Sequence, residues 1–110
     1  MSKHDIAITL RQMLDYAQKA VTLSRNRKRS DLDKDLTLNL ALARLIEIIG
    51  EAANRVSEDF RQDHPEIKWT QIIGMRNRLI HGYDEVDLDV LWGVVKKDLP
   101  ALIKQLQKLL

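Results

Sequence analysis

Residues 76–83, Arg-Asn-Arg-Leu-Ile-His-Gly-Tyr, place a permanently charged guanidinium, an imidazole and a phenol close together in the chain. The guanidinium of Arg76 can bind two phosphate oxygens in a fork. The imidazole of His81 titrates near neutral pH and can move protons, and the phenol of Tyr83 can donate a hydrogen bond or accept a transferred group. These three groups could act on a phosphodiester without a metal ion.

RNA suits such a site, because its ribose 2′-OH lies next to the phosphate that it can attack. In this scheme His81 takes the 2′-OH proton or protonates the leaving 5′ oxygen, while Arg76 stabilises the charge on pentacoordinate phosphorus. Asn77 is expected to orient the site, since it lies one helical turn before His81 on the same face. The products would be a 2′,3′-cyclic phosphate and a 5′-hydroxyl, and DNA should resist.

One chain alone does not bring the two catalytic candidates together. On a regular helix, the five residues from Arg76 to His81 advance about 7.5 Å and rotate about 140°, so the side chains diverge. Two chains packed around a twofold axis near the motif would supply two Arg and two His to one cleft. Apolar residues off the core faces, Leu40, Ile48 and Leu110, would favour this contact. The sequence therefore predicts a symmetric homodimer.

Each residue of the motif also has a purely structural explanation. Arg76 could form a helix ion pair, His81 could cap the carbonyls of a helix end, and Tyr83 could be a core aromatic with its hydroxyl in water. Arg78 should point away from these residues, as a solvated or a phosphate-steering side chain.

The elements that must position the motif are helices, because apolar residues recur at three- and four-residue steps along most of the chain. The first helix should begin after Ser2, and a short helix should follow Ser30. The long second helix should run from about Leu36, include Phe60 on its apolar face, and be closed by Pro65.

The third helix should begin near Trp69 and end around His81, because Gly82 suits the left-handed cap position. Asp87 should cap the fourth helix, which Pro100 should kink or divide. The sequence thus predicts an all-α fold: an up-and-down four-helix bundle with a short extra helix, in a single domain of residues 1–110.

The chain as a whole carries a net charge of only +2, so any contact with a polyanion must be made by a local group of cations. The basic cluster contains Arg25, Arg27, Lys28 and Arg29. It is explained either as a solvated helix end, where cations complement the helix dipole, or as a surface that steers RNA or an acidic partner.

The second helix carries two carboxylates that repel each other at i, i+4, Glu47 and Glu51. Arg44 and Arg55 can offset the repulsion, or Glu51 could act at the dimer face or beside the motif. Gly50 costs about 1 kcal/mol relative to Ala inside a helix, so it should permit a close approach of another helix.

The composition argues against several other classes of protein. The chain has no Cys, and its three His are far apart, so neither a disulfide framework nor a metal or cofactor site is predicted. The first twenty residues are too charged for a signal peptide, and no stretch reaches the length of a membrane span. A cytoplasmic protein is expected.

The spacing Arg76, four residues, His81, one residue, Tyr83 resembles the motif of the HepT-like branch of the HEPN superfamily. Residues 46–53, 65–69, 73–77, 91–92 and 98–100 also resemble HepT-type proteins in order and spacing. The resemblance implies a HEPN-like bundle that dimerises to form a metal-independent endoribonuclease, a toxin that cleaves mRNA or tRNA.

The resemblance also implies a partner. In similar proteins an MntA-like nucleotidyltransferase antitoxin transfers AMP from ATP to the motif tyrosine, here Tyr83, and the added charge and bulk would block Arg76 and His81. A second hypothesis is a non-catalytic dimeric module that scaffolds, or presents nucleotide to, such a nucleotidyltransferase. The hypothesis of a metal-dependent hydrolase is weaker still, because His4, His64 and the scattered carboxylates do not have a spacing that is typical of metal ligands.

Overall fold

The computed structural model describes residues 1–81 and 85–110, with His81 described by its backbone alone. The elements in chain order are α1 (Lys3–Ser24), α2 (Asp31–Lys34), α3 (Leu36–Arg55), α4 (Glu58–Asp63), α5 (Trp69–Ile73), α6 (Met75–Leu79), β1 (Ile80–His81), β2 (Glu85–Val86), α7 (Leu88–Gly93), a π-helical turn (Val94–Asp98) and α8 (Leu99–Leu109). The predicted all-α fold is confirmed, with a small antiparallel pairing of β1 and β2 added to it.

The core lies between the long helices. α1 packs against both α3 and α8, and α3 also packs against α5 and α6. The apolar stripes predicted from the sequence meet here: Met13, Leu42, Ile49, Leu99 and Leu106 are completely buried. Within the described ranges, no helix combines the length and the apolar character needed to cross a membrane.

The starts of the first helices follow the predictions. The hydroxyl of Ser2 accepts a hydrogen bond from the backbone N–H of Asp5 (3.1 Å) and caps α1. The short helix α2 begins directly after Ser30. The carboxylate of Asp35 caps α3 by accepting from the N–H of Leu38 (3.0 Å).

The predicted length of the second helix is wrong, because α3 ends at Arg55 rather than near Pro65. Val56 is buried in an extended conformation (φ −69°, ψ 133°), and a separate helix, α4, carries Phe60. Ser57 precedes two acidic residues, an arrangement that suits the start of a helix. Burial of Val56 and this new start therefore outweigh the continuing apolar periodicity.

The predicted third helix is divided at Gly74 into α5 and α6, and it ends at Leu79 rather than at His81. Ile80 is extended (φ −103°, ψ 121°), and the carbonyl of Leu79 accepts a hydrogen bond from the N–H of Asp87. Pairing with β2 and the β-branched side chain of Ile80 favour this conformation. Gly82, the predicted cap, lies outside the described residues.

The fourth helix starts as predicted, since the carboxylate of Asp87 accepts from the N–H of Val90 (3.1 Å). It is divided as expected, but the division is a π-helical turn before Pro100, in which the N–H of Leu99 donates to the carbonyl of Val94. A proline ring clashes with the carbonyl four residues earlier in a regular α-helix. The wider turn leaves room for that ring.

Gly50 allows the close approach that the sequence predicts. A Cβ built at this position would lie 3.1 Å from the carbonyl oxygen of Ile72 and 3.4 Å from that of Ile73. The absence of a side chain on α3 thus lets the end of α5 lie directly against it. This contact places α6, which carries Arg76, beside α3.

Candidate active site

Arg76 lies on α6 and reaches across to α3. Its side chain is 53% exposed, and its Nε lies 3.6 Å from Oε1 of Glu47. The alternative of a structural ion pair is thus partly realised, with a partner on another helix rather than on its own. About half of the surface of this side chain still faces solvent, where it can meet an anion.

Glu47 is the centre of a cluster of four charged side chains. Its Oε1 also lies 3.1 Å from Nη1 of Arg44, and the same Nη1 is 3.7 Å from Oε1 of Glu51. We call Arg44, Glu47, Glu51 and Arg76 the α3–α6 charge cluster. Glu47 is its most buried member, with 30% exposure, so the cluster is held around this carboxylate.

Sequence reasoning missed Glu47 as the partner of Arg76. It predicted that Arg44 and Arg55 would both offset the two glutamates. Arg44 does so, whereas the Nη2 of Arg55 donates to the side-chain oxygen of Gln12 (3.2 Å). Gly50 could have indicated this partner. A helix that packs against α3 at Gly50 must also pass close to Glu47, which lies three residues earlier on the same face.

The geometry expected around His81 needs correction. Because the helix ends at Leu79, the rotation of about 140° between Arg76 and His81 on a continuous helix does not apply. The same change removes the reason for placing Asn77 and His81 on one helical face. Asn77 itself is an exposed residue of α6.

The backbone of His81 lies in β1, opposite Glu85 of β2. It lies two residues after the end of α6, so the chain between Arg76 and His81 is helical up to Leu79 and extended at Ile80. Tyr83, the predicted modification site, lies outside the described residues.

Arg78 points to the other side of α6, as predicted. Its Nη2 donates to Oδ2 of Asp98 (3.2 Å), while Arg76 contacts α3. Arg78 lines a groove of about 200 Å³ together with Lys68 and Lys97. We call this the basic groove, since three cations and one carboxylate border it.

Carboxylates neutralise part of the predicted basic cluster. Arg27 Nη2 lies 2.8 Å from Asp35 Oδ2, and Arg29 Nε lies 2.6 Å from Asp89 Oδ1. The hydrogen bond from Arg27 lowers the pKa of Asp35. These two arginines tie the connection after α1 to the starts of α3 and α7, so they have a clear structural role.

The remaining two cations of the cluster, Arg25 and Lys28, are exposed. The cation that binds the end of α1 comes instead from the π-helical turn. The ammonium of Lys96 donates to the carbonyl of Ser24 (3.0 Å) and lies 4.8 Å from the ring centroid of Trp92. Arg25 and Lys28 are therefore the members best placed to meet an outside partner.

The side chains that the structure describes form no candidate metal site. No three His, Asp or Glu side chains converge there in a way that could hold a metal ion. His64 lies 3.1 Å from Glu66, which leaves it in a local pair.

Comparisons with known proteins agree with the sequence resemblance. Residues 13–109 match the family described as "Ribonuclease HepT-like". "Putative RNase MJ1380" of Methanocaldococcus jannaschii is 33% identical over 107 residues, which cover 97% of this chain and 98% of the relative. "Probable ribonuclease HepT" of Thermococcus cleftensis is 45% identical over 75 residues, which cover 68% of each chain. No solved structure matches significantly. The chain belongs to the HepT-like ribonuclease family.

Proposed function

We propose that this chain is a ribonuclease, and more specifically a metal-independent endoribonuclease that uses the 2′-OH of RNA. The observation that carries the proposal is the position of Arg76. Its side chain is 53% exposed and contacts Glu47, and it lies five residues before the motif histidine. Cleavage through a pentacoordinate phosphorus requires an accessible cation together with a proton-transfer group, and His81 would supply the latter.

In the proposed reaction, His81 moves a proton to or from the attacking 2′ oxygen or the leaving 5′ oxygen. Arg76 binds the phosphate oxygens and stabilises the charge that develops on them. Asn77, exposed on the same short helix, would bind the substrate or orient His81. Bond formation by the 2′ oxygen and departure of the 5′ oxygen yield a 2′,3′-cyclic phosphate and a 5′-hydroxyl.

A homodimer fits the distribution of apolar surface. Leu36 and Leu40 are 66% and 55% exposed, and helical periodicity places them on the same side of α3 as Arg44 and Glu47. A twofold axis along this face would bury both leucines and bring two copies of Arg76 toward one cleft. Glu51 would then lie at the edge of that interface.

Charged residues around the motif suggest a path for the RNA strand. Arg78 and the other cations of the basic groove lie on the far side of α6 from Arg76. A strand bound at Arg76 could continue across α6 into this groove, and Arg25 and Lys28 would add longer-range attraction. Arg27 and Arg29 would contribute less, because carboxylates already compensate them.

The regulatory part of the proposal rests on the motif alone. An MntA-like nucleotidyltransferase antitoxin would attach AMP to the hydroxyl of Tyr83, two residues after His81. The added phosphate would place negative charge and bulk beside the guanidinium of Arg76, competing with the RNA phosphate for it. The ribonuclease would act as a toxin when this modification is absent.

The test is cleavage of RNA by the unmodified protein in EDTA, with the product ends identified by mass spectrometry. Cyclic-phosphate and 5′-hydroxyl ends are expected, with no cleavage of DNA. Arg76→Ala and His81→Ala should each reduce the rate by about 100-fold or more. Arg11→Ala, which removes an exposed cation of α1, is the matched control and should cleave normally.

Two results would refute the proposal: no cleavage by unmodified wild-type protein, or cleavage that both motif variants retain. If the variants still dimerise and bind a nucleotidyltransferase while cleavage is absent from wild type, the non-catalytic scaffold is the better account.

A further inference from the structure

We propose that Arg44 is a second phosphate-binding residue of the active site, and that Glu47 is the positioning residue that holds Arg44 and Arg76 together. The proposal rests on the ribonuclease function proposed above. It adds two residues of α3 to a site that the motif places on α6 and β1.

The two guanidinium groups share one oxygen atom. Nη1 of Arg44 and Nε of Arg76 contact Oε1 of Glu47 at 3.1 and 3.6 Å. The distance between these two nitrogens therefore cannot exceed the sum of the two contact distances. Two guanidinium groups at that separation can bind one phosphate together or two consecutive phosphates of a strand.

Both arginines keep most of their binding capacity. Their side chains are 58% and 53% exposed, and their ion pairs involve Nη1 of Arg44 and Nε of Arg76. A guanidinium carries five N–H donors in a fixed fork. Among the described side chains, the remaining donors of Arg44 and Arg76 make no other ion pair, so they are available to phosphate oxygens.

Glu47 differs from an ordinary surface partner. An exposed i, i+3 pair on one helix is worth little, because it is solvated and flexible. Glu47 is instead 30% exposed and links Arg44 on its own helix to Arg76 on α6. Its charge fixes the relative position of two cations that come from different elements.

Glu47 should therefore have opposite effects on binding and on catalysis. Its negative charge opposes the approach of a phosphate, which weakens binding of RNA. The same charge restricts both guanidinium groups to one arrangement, which favours the transition state. Neutralising it should tighten RNA binding and slow the chemical step.

The experiment compares four variants of the full chain, Arg44→Ala, Arg44→Lys, Glu47→Gln and the control Arg11→Ala. Cleavage of a short RNA in EDTA gives kcat and KM, and fluorescence anisotropy with an uncleavable 2′-deoxy analogue gives the Kd and its salt dependence. Light scattering and urea denaturation check that each variant keeps the wild-type assembly and stability.

Arg44→Ala should raise the Kd for the analogue about tenfold, which is the loss of one charged hydrogen-bonding contact. Its plot of log Kd against log salt should lose about 0.7 of its slope, as expected for one phosphate contact on a single strand. Arg44→Lys should restore the salt slope but only part of the affinity. Glu47→Gln should lower both KM and kcat, whereas Arg11→Ala should change neither.

The proposal is overturned if Arg44→Ala binds the analogue with the same Kd and salt slope as Arg11→Ala, or if Glu47→Gln leaves both kcat and KM unchanged. If wild type binds the analogue through Arg44 but does not cleave RNA, the paired phosphate site stands and the ribonuclease function falls. If wild type neither binds nor cleaves, both fall.

Discussion

The contact at Gly50 gives a quantitative test of how α3 and α5 fit together. Gly50→Ala adds a single methyl group, whose carbon would lie 3.1 Å from a backbone oxygen of Ile72 and 3.4 Å from one of Ile73. Neither oxygen can rotate away as a side chain would. The two helices must separate by a few tenths of an ångström to accept the methyl group.

Two opposing terms determine the size of the effect. Replacing Gly by Ala inside a helix gains about 1 kcal/mol of intrinsic stability. Overpacking a close contact costs about 1–3 kcal/mol. The free energy of unfolding of Gly50→Ala should therefore be equal to that of wild type or lower by up to about 2 kcal/mol.

Gly93 supplies the matched control. It has helical backbone angles (φ −61°, ψ −42°), and a Cβ built there meets no described atom within 4 Å other than those of its chain neighbours and of its own helix backbone. Gly93→Ala should thus show the propensity gain alone, an increase of about 1 kcal/mol in the free energy of unfolding. The difference between the two variants measures the steric cost at Gly50.

Urea denaturation at a fixed protein concentration, followed by far-UV circular dichroism, gives both free energies. Tryptophan fluorescence, to which both Trp69 at the start of α5 and Trp92 contribute, gives a second probe of the same unfolding. If Gly50→Ala raises the urea midpoint as much as Gly93→Ala does, the close approach of α3 and α5 is refuted.

Three further outcomes are expected. The bond from Arg27 lowers the pKa of Asp35 below its ordinary 3.8, so this carboxylate stabilises the fold fully above that pH and stops doing so as pH falls through the lowered pKa. Asp35→Asn keeps a helix-capping side chain, so its urea midpoint should be below wild type near neutral pH and should converge with it in acid; a gap that persists in acid would contradict this. Leu40→Asp should produce a monomer without RNA cleavage in light-scattering and activity assays, while Ile8→Asp, at a similarly exposed position of α1, should leave the assembly unchanged. Co-expression with a nucleotidyltransferase should add the mass of one or more AMP groups to wild type but not to Tyr83→Phe in intact-mass measurements. The same added mass on both proteins would show that Tyr83 is not the residue that accepts AMP.

Local signals in the sequence predict the starts of helices well. Ser2, Asp35 and Asp87 each accept the backbone hydrogen bond expected of a helix cap. These interactions span three residues, so tertiary contacts hardly alter them. Gly50 was also predictable, because a helix tolerates glycine in its interior mainly where another backbone approaches.

The ends of helices were harder to predict, because they depend on contacts that are distant in sequence. The end of α6 is set at Leu79 by a hydrogen bond from Asp87 and by the pairing of β1 with β2. The apolar pattern of the sequence continues through Ile80 and does not indicate that the helix ends before it. The partnership of Arg76 with Glu47 depends in turn on how α6 docks against α3, which helical periodicity does not specify.

The π-helical turn keeps the buried residues before and after it on one face of the last helix. Leu91, Val95 and Leu99 are completely buried, although two successive four-residue steps on a regular α-helix would rotate the third by about 80° from the first. The wider turn removes that drift. Deleting one residue at Lys96 or Lys97 would convert it to regular α-helix, in which the seven remaining steps from Leu91 to Leu99 also make about two full turns, so the following segment would keep its face within about 20°. The same deletion between Leu99 and Leu106, in regular α-helix, would turn the segment after it by about 100° and carry Leu106 away from α1.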